Sequence, residues 1–249
     1  MQESVSSSPI VTVAITGPSG SGKSTLSDVL AKCLGSASVT VHQDHFFLGP
    51  KPKSYWDQIE QGENKDHPGA VNWPALREAF ASAVASLREK SETGRPKILL
   101  IEGFLLLQDV EIMSYVDAVI FLSTDCETCL NRRLARSKRT EHESEGCRVY
   151  YEKYVWPGFL QYTQPELDRL KARSASESAD ETTAAAAAAT KKPALYELDG
   201  TATMTSVAEQ ALRELLGFLE VSGAGTVDVG DSIASTVAAA LAPSEPVPK

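Results

Sequence analysis

The chain has little of what membrane, secreted and duplex-binding proteins depend on. Its 249 residues contain no uninterrupted apolar run approaching the roughly 20 residues that cross a bilayer, so no membrane partner is expected. Residues Met1 to Ile10 carry no cation and lead straight into a β-rich run, unlike the charged start of a signal peptide. Cysteine is scarce. Cys33, Cys126, Cys129 and Cys147 are too few and too scattered for a disulfide framework, which points to a reducing, cytoplasmic home, with the nucleus also open to it. Cations are outnumbered, 24 Lys and Arg against 33 Asp and Glu, for a formal charge of -9. That surplus of carboxylates repels a phosphodiester backbone, so nucleic acid is not expected as a partner.

Apolar residues are plentiful, at 42% against 23% charged, which is near the average of folded globular proteins. Two stretches fall outside that average. Ser174 to Thr190 holds eight Ala, three Ser, three Thr and three acids, with nothing larger than Ala to bury. Such a stretch cannot offset its ordering entropy, and 174–193 reads as a low-complexity insertion. Residues 221–249 turn to Gly, Ser, Ala, Val and Pro and read as a flexible tail, with only a weak helical stripe of Ile233, Val237 and Leu241. With 1–8 as an N-terminal extension, 9–220 remains as one domain.

Within it, β-rich runs alternate with helical patterns. The runs are Ile10 to Thr16, Val39 to His42, Ile98 to Glu102, Ala118 to Leu122 and Ala194 to Leu198. They are almost continuously apolar, as strands covered on both faces are. Helical spacing marks Ser24 to Leu34, Trp73 to Leu87, Asp125 to Ser137, Val155 to Leu170 and Ser206 to Leu219. This order implies a three-layer α/β/α fold around a mostly parallel five-stranded sheet. Ligands of such folds gather at the carboxyl ends of the strands, so the residues just past each strand carry the most information about function.

Gly17-Pro18-Ser19-Gly20-Ser21-Gly22-Lys23-Ser24-Thr25 comes after the first run and satisfies G-x-x-x-x-G-K-[ST] between a strand and a helix. In such a P-loop the glycines let backbone N–H groups curl around phosphate oxygens, and the helix start adds its positive dipole end. Lys23 would reach the β and γ phosphates and Ser24 would ligate Mg²⁺, so ATP with Mg²⁺ is the expected cofactor pair. A GTPase would add a D-x-x-G at a strand end and an N-K-x-D. Asp66-His67-Pro68-Gly69 has the first only by its letters, since polar residues precede it, and the second is missing from the sequence.

Two further strands end in acids. Asp44, in His42-Gln43-Asp44-His45-Phe46-Phe47, is placed to accept or orient a substrate hydroxyl proton. Glu102, after four apolar residues, is placed to hold Mg²⁺ or its waters, with Gly103 leaving room beside it. Two acids facing one nucleotide is the layout of a kinase. Downstream, Arg132, Arg133, Arg136, Lys138 and Arg139 concentrate charge in an otherwise acidic chain. Arg132 and Arg136 share a helix face and read as lid residues that neutralise the transferring phosphoryl group. Thr140 to Gly146 is polar throughout and reads as a mobile closing segment. Cys126 and Cys129 have C-x-x-C spacing but fit the apolar stripe of their helix, and no second pair completes a zinc site.

The runs Val41 to Phe47, Asp66 to Trp73, Ile101 to Leu106 and Val155-Trp156-Pro157, with Leu198-Asp199-Gly200, together resemble the nicotinamide riboside kinases. These belong to the uridine kinase and phosphoribulokinase group of P-loop kinases. The resemblance implies that Asp44 is the acid at the ribose 5′-hydroxyl, that Asp66 hydrogen-bonds the 2′ and 3′ hydroxyls, and that Glu102 is the acid near the metal. It also places Phe47 and Tyr55 among the substrate-binding residues. The chain departs from the family's pattern at His45, where a second Asp is frequent, and at Lys65, where an aromatic residue would stack on the base. A cation there opposes a cationic nicotinamide and suits an anionic nicotinate, unless Lys65 points to solvent. Tyr55, Trp56 and Tyr151 are other candidates for stacking. The implied activity is phosphorylation of a ribonucleoside 5′-hydroxyl, of nicotinamide riboside or nicotinic acid riboside, by a monomer or small homo-oligomer. The alternatives are a uridine or cytidine kinase and a non-catalytic nucleotide-binding regulator.

Overall fold

The computed structural model describes residues 8–50, 54–89, 95–175, 192–230 and 232–243. The expected insertion at 174–193 and the N-terminal extension at 1–8 therefore lie almost wholly outside the described residues.

In chain order the elements are β1 (Ile10–Thr16), α1 (Lys23–Leu34), β2 (Ser38–His42), α2 (Tyr55–Gln61), α3 (Trp73–Glu89), β3 (Lys97–Glu102), α4 (Val110–Met113), β4 (Ala118–Ser123), α5 (Cys126–Ala135) and α6 (Glu141–Tyr150). They are followed by α7 (Trp156–Gly158), α8 (Gln164–Ala175), β5 (Ala194–Asp199), α9 (Met204–Val221) and α10 (Ile233–Leu241). The five strands form one sheet in the order β2-β3-β1-β4-β5, and every pairing is parallel. The fold is the three-layer α/β/α architecture expected, with the helices from α5 to α7 forming a lid over one edge.

The runs are continuously apolar because alternate side chains enter different cores. From β1, Val11, Val13 and Ile15 pack with α1 and α9, while Ala14 faces α3 and the Leu105–Leu107 turn. Likewise Ile98 and Leu100 of β3 go one way, and Leu99 and Ile101 the other. A third, smaller cluster of Cys129, Leu130, Tyr150, Tyr151 and Val155 supports the lid.

Two expectations are corrected. The segment read as a flexible tail contains α10, whose Val237 and Ala240 are buried in the same core as α1 and α9. The Ser232 hydroxyl caps its start by accepting from Ser235 N at 3.1 Å, and Lys32 Nζ donates to the Ala240 carbonyl near its end at 3.0 Å. Nine residues of mostly small side chains make a poor isolated helix, so only docking supplies its stability. The second correction concerns Thr140–Gly146, read as mobile. It opens α6, where the Thr140 hydroxyl accepts from Glu143 N and the Glu143 carboxylate accepts from Thr140 N, a complete capping box.

The chain from α6 to α8 is almost continuously helical but passes through π-helical turns at Tyr151–Val155 and Phe159–Thr163. Each ends two residues before a proline, Pro157 and Pro165. A proline lacks the N–H that its turn of the ladder needs, and the widened turns absorb that defect.

Val237→Asp is expected to cost about 3 kcal/mol, by setting an unpaired carboxylate in the core, and so to lower the urea midpoint of the whole domain. An unchanged midpoint would mean that α10 is not docked in solution.

Candidate active site

The carboxyl ends of β1, β2 and β3 meet at one edge of the sheet, and the P-loop runs from the first of them. Gly17, Gly20 and Gly22 take φ of 141°, 104° and 103°, which side chains rarely adopt. At Gly20 a Cβ would also strike the Cys129 backbone. Lys23 is buried, and its Nζ donates to Pro18 O at 2.9 Å. Burial pushes its pKa down, while Glu102 and Asp44 act in the opposite direction. The Ser21 hydroxyl is buried without a hydrogen-bond partner. That unpaired hydroxyl, lying beside a buried ammonium and under the amino end of α1, fits the oxygens of a bound polyphosphate.

Glu102 is 3% exposed and gathers two partners on one oxygen, Oε1. Ser24 Oγ donates to it at 3.2 Å, and His42 Nδ1 lies 3.0 Å away. Among the described residues there is no group of three or more His, Cys, Asp or Glu side chains able to hold a metal. An ion here would take one hydroxyl, one carboxylate and phosphate oxygens, the hard and incomplete donor set that suits Mg²⁺. Gly103 has a steric role: a Cβ there would lie 2.5 Å from Gln43 Oε1. That oxygen accepts from Leu105 N at 3.0 Å and ties the turn after β2 to the turn after β3.

The loop opens on a cleft of about 770 Å³. Ser19, Lys23, Ser24, Asp44, Phe47, Tyr55, Asp66, Glu102 and Arg136 all line it. Gly17, Gly20, Ser21 and Gly22 form the loop wall behind it, and Thr25 is exposed on the first turn of α1. Phe47 pairs with Val71 in a single antiparallel bridge and lies 6.1 Å from the Phe104 ring. Lys65 also lines the cleft rather than pointing away from it, and its Nζ donates to Leu48 O at 2.7 Å. Trp56 lines it as well, stacked on His142 and donating from Nε1 to the His142 carbonyl at 3.0 Å. Tyr151 is buried and does not line the cleft.

Asp66 sits deepest on this side, 5% exposed. Burial raises its pKa to about 6, helped by nearby Asp44 and opposed by Arg133, a hydrogen bond from Tyr150, and Lys23. Its backbone carbonyl lies against α7, where a Cβ on Gly158 would approach it to 2.7 Å.

Arg132 is not among the cleft-lining residues, in contrast to Arg136. Its Nη1 donates to Ser21 O at 3.2 Å and to the Gly200 carbonyl, and its Nη2 donates to Thr201 O at 3.4 Å. It clamps the outside of the P-loop to the turn after β5. Arg133, like Arg136 and Arg139, does line the cleft. Its Nη1 donates to Ser19 Oγ at 2.7 Å, and its guanidinium lies 5.5 Å from the Tyr55 ring centre. A signal for it was available, because position 133 comes seven residues after Cys126 and four after Cys129 and so falls on the buried stripe of α5. A cation on an apolar face calls for a partner in the interior. The cysteines behave as core residues. Cys129 is buried with its thiol pushed up to about 11 by burial, and the four are free thiols.

The profile of the AAA domain matches residues 13–151, more than half of the chain. The chain belongs to the AAA domain family. ATP with Mg²⁺ is the cofactor pair, and the P-loop, Ser24 and Glu102 are the groups that would hold it. The chain is also 28% identical over 182 residues to a uridine kinase of Shewanella denitrificans, covering 65% of this chain and 85% of that one. It is 28% identical over 169 residues to uridine-cytidine kinase B of Dictyostelium discoideum, covering 61% and 69%. Among solved structures, a gluconokinase from Sinorhizobium meliloti aligns with a TM-score of 0.47 at 15% identity, covering 86% of this chain and 95% of that one.

For this AAA domain protein the buried acid and its helix contact each give a measurable outcome. Between about pH 4 and about pH 6 the folded chain holds on Asp66 a proton that the unfolded chain has released. Stability therefore falls by up to about 3 kcal/mol as pH rises through that window and is level above it. Urea titrations of Asp66→Asn should lack this slope. Gly158→Ala, which in an open helix gains about 1 kcal/mol, should instead lose stability because its Cβ meets the Asp66 carbonyl.

Proposed function

We propose that this chain is an ATP-dependent kinase that transfers the γ-phosphoryl group to the 5′-hydroxyl of a ribonucleoside. The observation that carries this reading is the pairing of two acids in one cleft, with Asp44 near the P-loop and Asp66 buried farther in. A carboxylate accepts hydrogen bonds from neighbouring hydroxyls, and a ribose offers two of them at a fixed distance from a third that can react.

Lys23 and Arg136 would bind phosphate oxygens, and Arg133, held by Ser19, would carry positive charge to the boundary between the two substrates. Mg²⁺, held by Ser24 and Glu102, would supply neutralisation of the phosphate charge. Asp66 would orient the ribose through its 2′ and 3′ hydroxyls. Asp44 would accept the proton of the 5′-hydroxyl as that oxygen bonds to the γ-phosphorus and the bond to ADP breaks.

Two readings of the base rest on different observations. The run from Gln43 to Phe47 with Glu102 to Leu106 and Val155 to Pro157 favours nicotinamide riboside or nicotinic acid riboside, and with them NAD biosynthesis. The similarity to proteins named uridine kinase favours uridine or cytidine. Lys65 at the cleft wall favours nicotinic acid riboside within the first pair, since its ammonium would attract the ring carboxylate that nicotinamide riboside lacks. A cytoplasmic monomer or small homo-oligomer completes the proposal.

Coupled ADP-release assays with nicotinamide riboside, nicotinic acid riboside, uridine and cytidine decide between them. Asp44→Asn is expected to keep ATP affinity and lose at least about 100-fold in kcat. Near wild-type turnover in that variant would remove Asp44 from its role. ATP binding without ADP release on any of the four would favour a non-catalytic regulator.

A further inference from the structure

At the carboxyl end of the sheet His42 of β2 stands opposite Glu102 of β3 in the parallel register. That pairing puts both side chains on one face, where they meet. His42 Nδ1 lies 3.0 Å from Glu102 Oε1, the same oxygen that accepts from Ser24 Oγ at 3.2 Å. A carboxylate oxygen only accepts, so Nδ1 carries the hydrogen. Glu102 and Ser24 line the cleft, and His42 is not among the lining residues. Its ring centre is 5.3 Å from that of His45, which does line it. The imidazole therefore touches the acid without reaching the cleft itself.

We propose that His42 is a positioning residue that fixes the orientation of the Glu102 carboxylate toward Mg²⁺. This rests on the reading of Glu102 as the acid near the metal, and it does not depend on which hydroxyl is phosphorylated. Two hydrogen bonds hold Oε1 from two elements, Ser24 at the start of α1 and His42 at the end of β2. Both fall on one oxygen, so they leave Oε2 for the ion or its waters. The Ser24 hydroxyl is itself an expected ligand and turns about a single bond. The imidazole is planar and set by the β2 to β3 register, so it supplies an anchor that does not depend on the ion.

Positioning and packing differ in what the loss of that nitrogen does. A histidine that only packed the end of β2 would, on removal, loosen the neighbouring P-loop and weaken nucleotide binding with or without Mg²⁺. A histidine that acts through Glu102 would, on removal, weaken only the part of the affinity that Mg²⁺ adds. Partners that orient a metal ligand are worth about 10-fold to 100-fold in metal affinity, and with Ser24 still in place the lower figure applies. His42→Leu removes the donor at similar volume. His42→Asn keeps one, since its amide nitrogen falls where Nδ1 stands.

The test is calorimetric titration of the full chain with β,γ-methylene-ATP, which cannot transfer its phosphoryl group, once in EDTA and once in excess Mg²⁺. His42→Leu is expected to raise the Kd about 10-fold in Mg²⁺ and to leave it unchanged in EDTA, with His42→Asn within about two-fold of wild type in both. Weakening by the same factor in both conditions, or in neither, overturns the proposal, as does an Asn variant that behaves like the Leu one. Should His42→Leu not fold, nitrogen-15 spectra of the wild-type imidazoles decide, with the His42 signals assigned by their loss in His42→Asn. A hydrogen on Nδ1 is expected there, and a hydrogen confined to Nε2 overturns the proposal. Glu102→Gln separates the two readings. If it keeps the full gain from Mg²⁺, the metal reading of Glu102 fails and the role of His42 fails with it. If it loses that gain while His42→Leu keeps it, only the role of His42 fails.

Discussion

The constraint on which the site depends is the cost of holding charge away from water. Lys23, Asp66 and Glu102 are buried and Arg133 is half-buried, and none would be tolerated there alone. Each is offset by neighbours from other elements. Lys23 has Glu102 and Asp44 near it, Arg133 has Asp66 and the Tyr55 ring, and Glu102 has Ser24 and His42 on one oxygen. These compensations are mutual, so the positions of α1, β2, β3 and α5 relative to one another are fixed partly by the charges they carry inward. A cleft assembled this way is preorganised for charged ligands, because its dipoles and ions are set before a substrate arrives.

Packing supplies the frame. The parallel sheet brings three strand ends to one edge, and small residues allow the close approaches that bring the acids inward. Gly103 accommodates Gln43, Gly158 accommodates the Asp66 backbone, and Gly146 accommodates the Trp56 indole. Two of these three glycines lie on the helices from α6 to α7, beyond the sheet. The lid is thus packed against the substrate side of the cleft through both α6 and α7. The π-helical turn at Tyr151–Val155 lies between the Tyr150 and Gly158 contacts, where it accommodates the break in helical register that Pro157 imposes.

Much of this was legible along the chain. The strands and the helices that bury one face announced themselves by periodicity, because burial on two faces or one writes itself directly into residue type. The P-loop was legible because its φ values restrict sequence to glycine, and its chemistry restricts the next residues to Lys and Ser. Asp44 and Glu102 were legible as polar residues at the ends of apolar runs. Helix α10 was legible only as a weak stripe of Ile233, Val237 and Leu241 and not as a docked element, since its small side chains bury little area each and its stability comes from α1 and α9, elements outside its own stretch of sequence. Nor was the order within Thr140–Gly146, whose polarity masked a capping box.

The division of labour between Arg132 and Arg133 shows where sequence stops. Composition and spacing placed a basic cluster after β4 and put it near phosphate, because charge density and a helix turn are local properties. Which guanidinium enters the cleft and which clamps the outside of the P-loop depends on the rotation of α5 against α6 and the turn at Gly200, a property of packing. By itself the sequence determined a P-loop, a parallel sheet and two acids just past strand ends, since these follow from backbone conformation and strand order. Only the tertiary structure decided which buried groups share protons and charge, because those couplings run between residues that no local pattern connects.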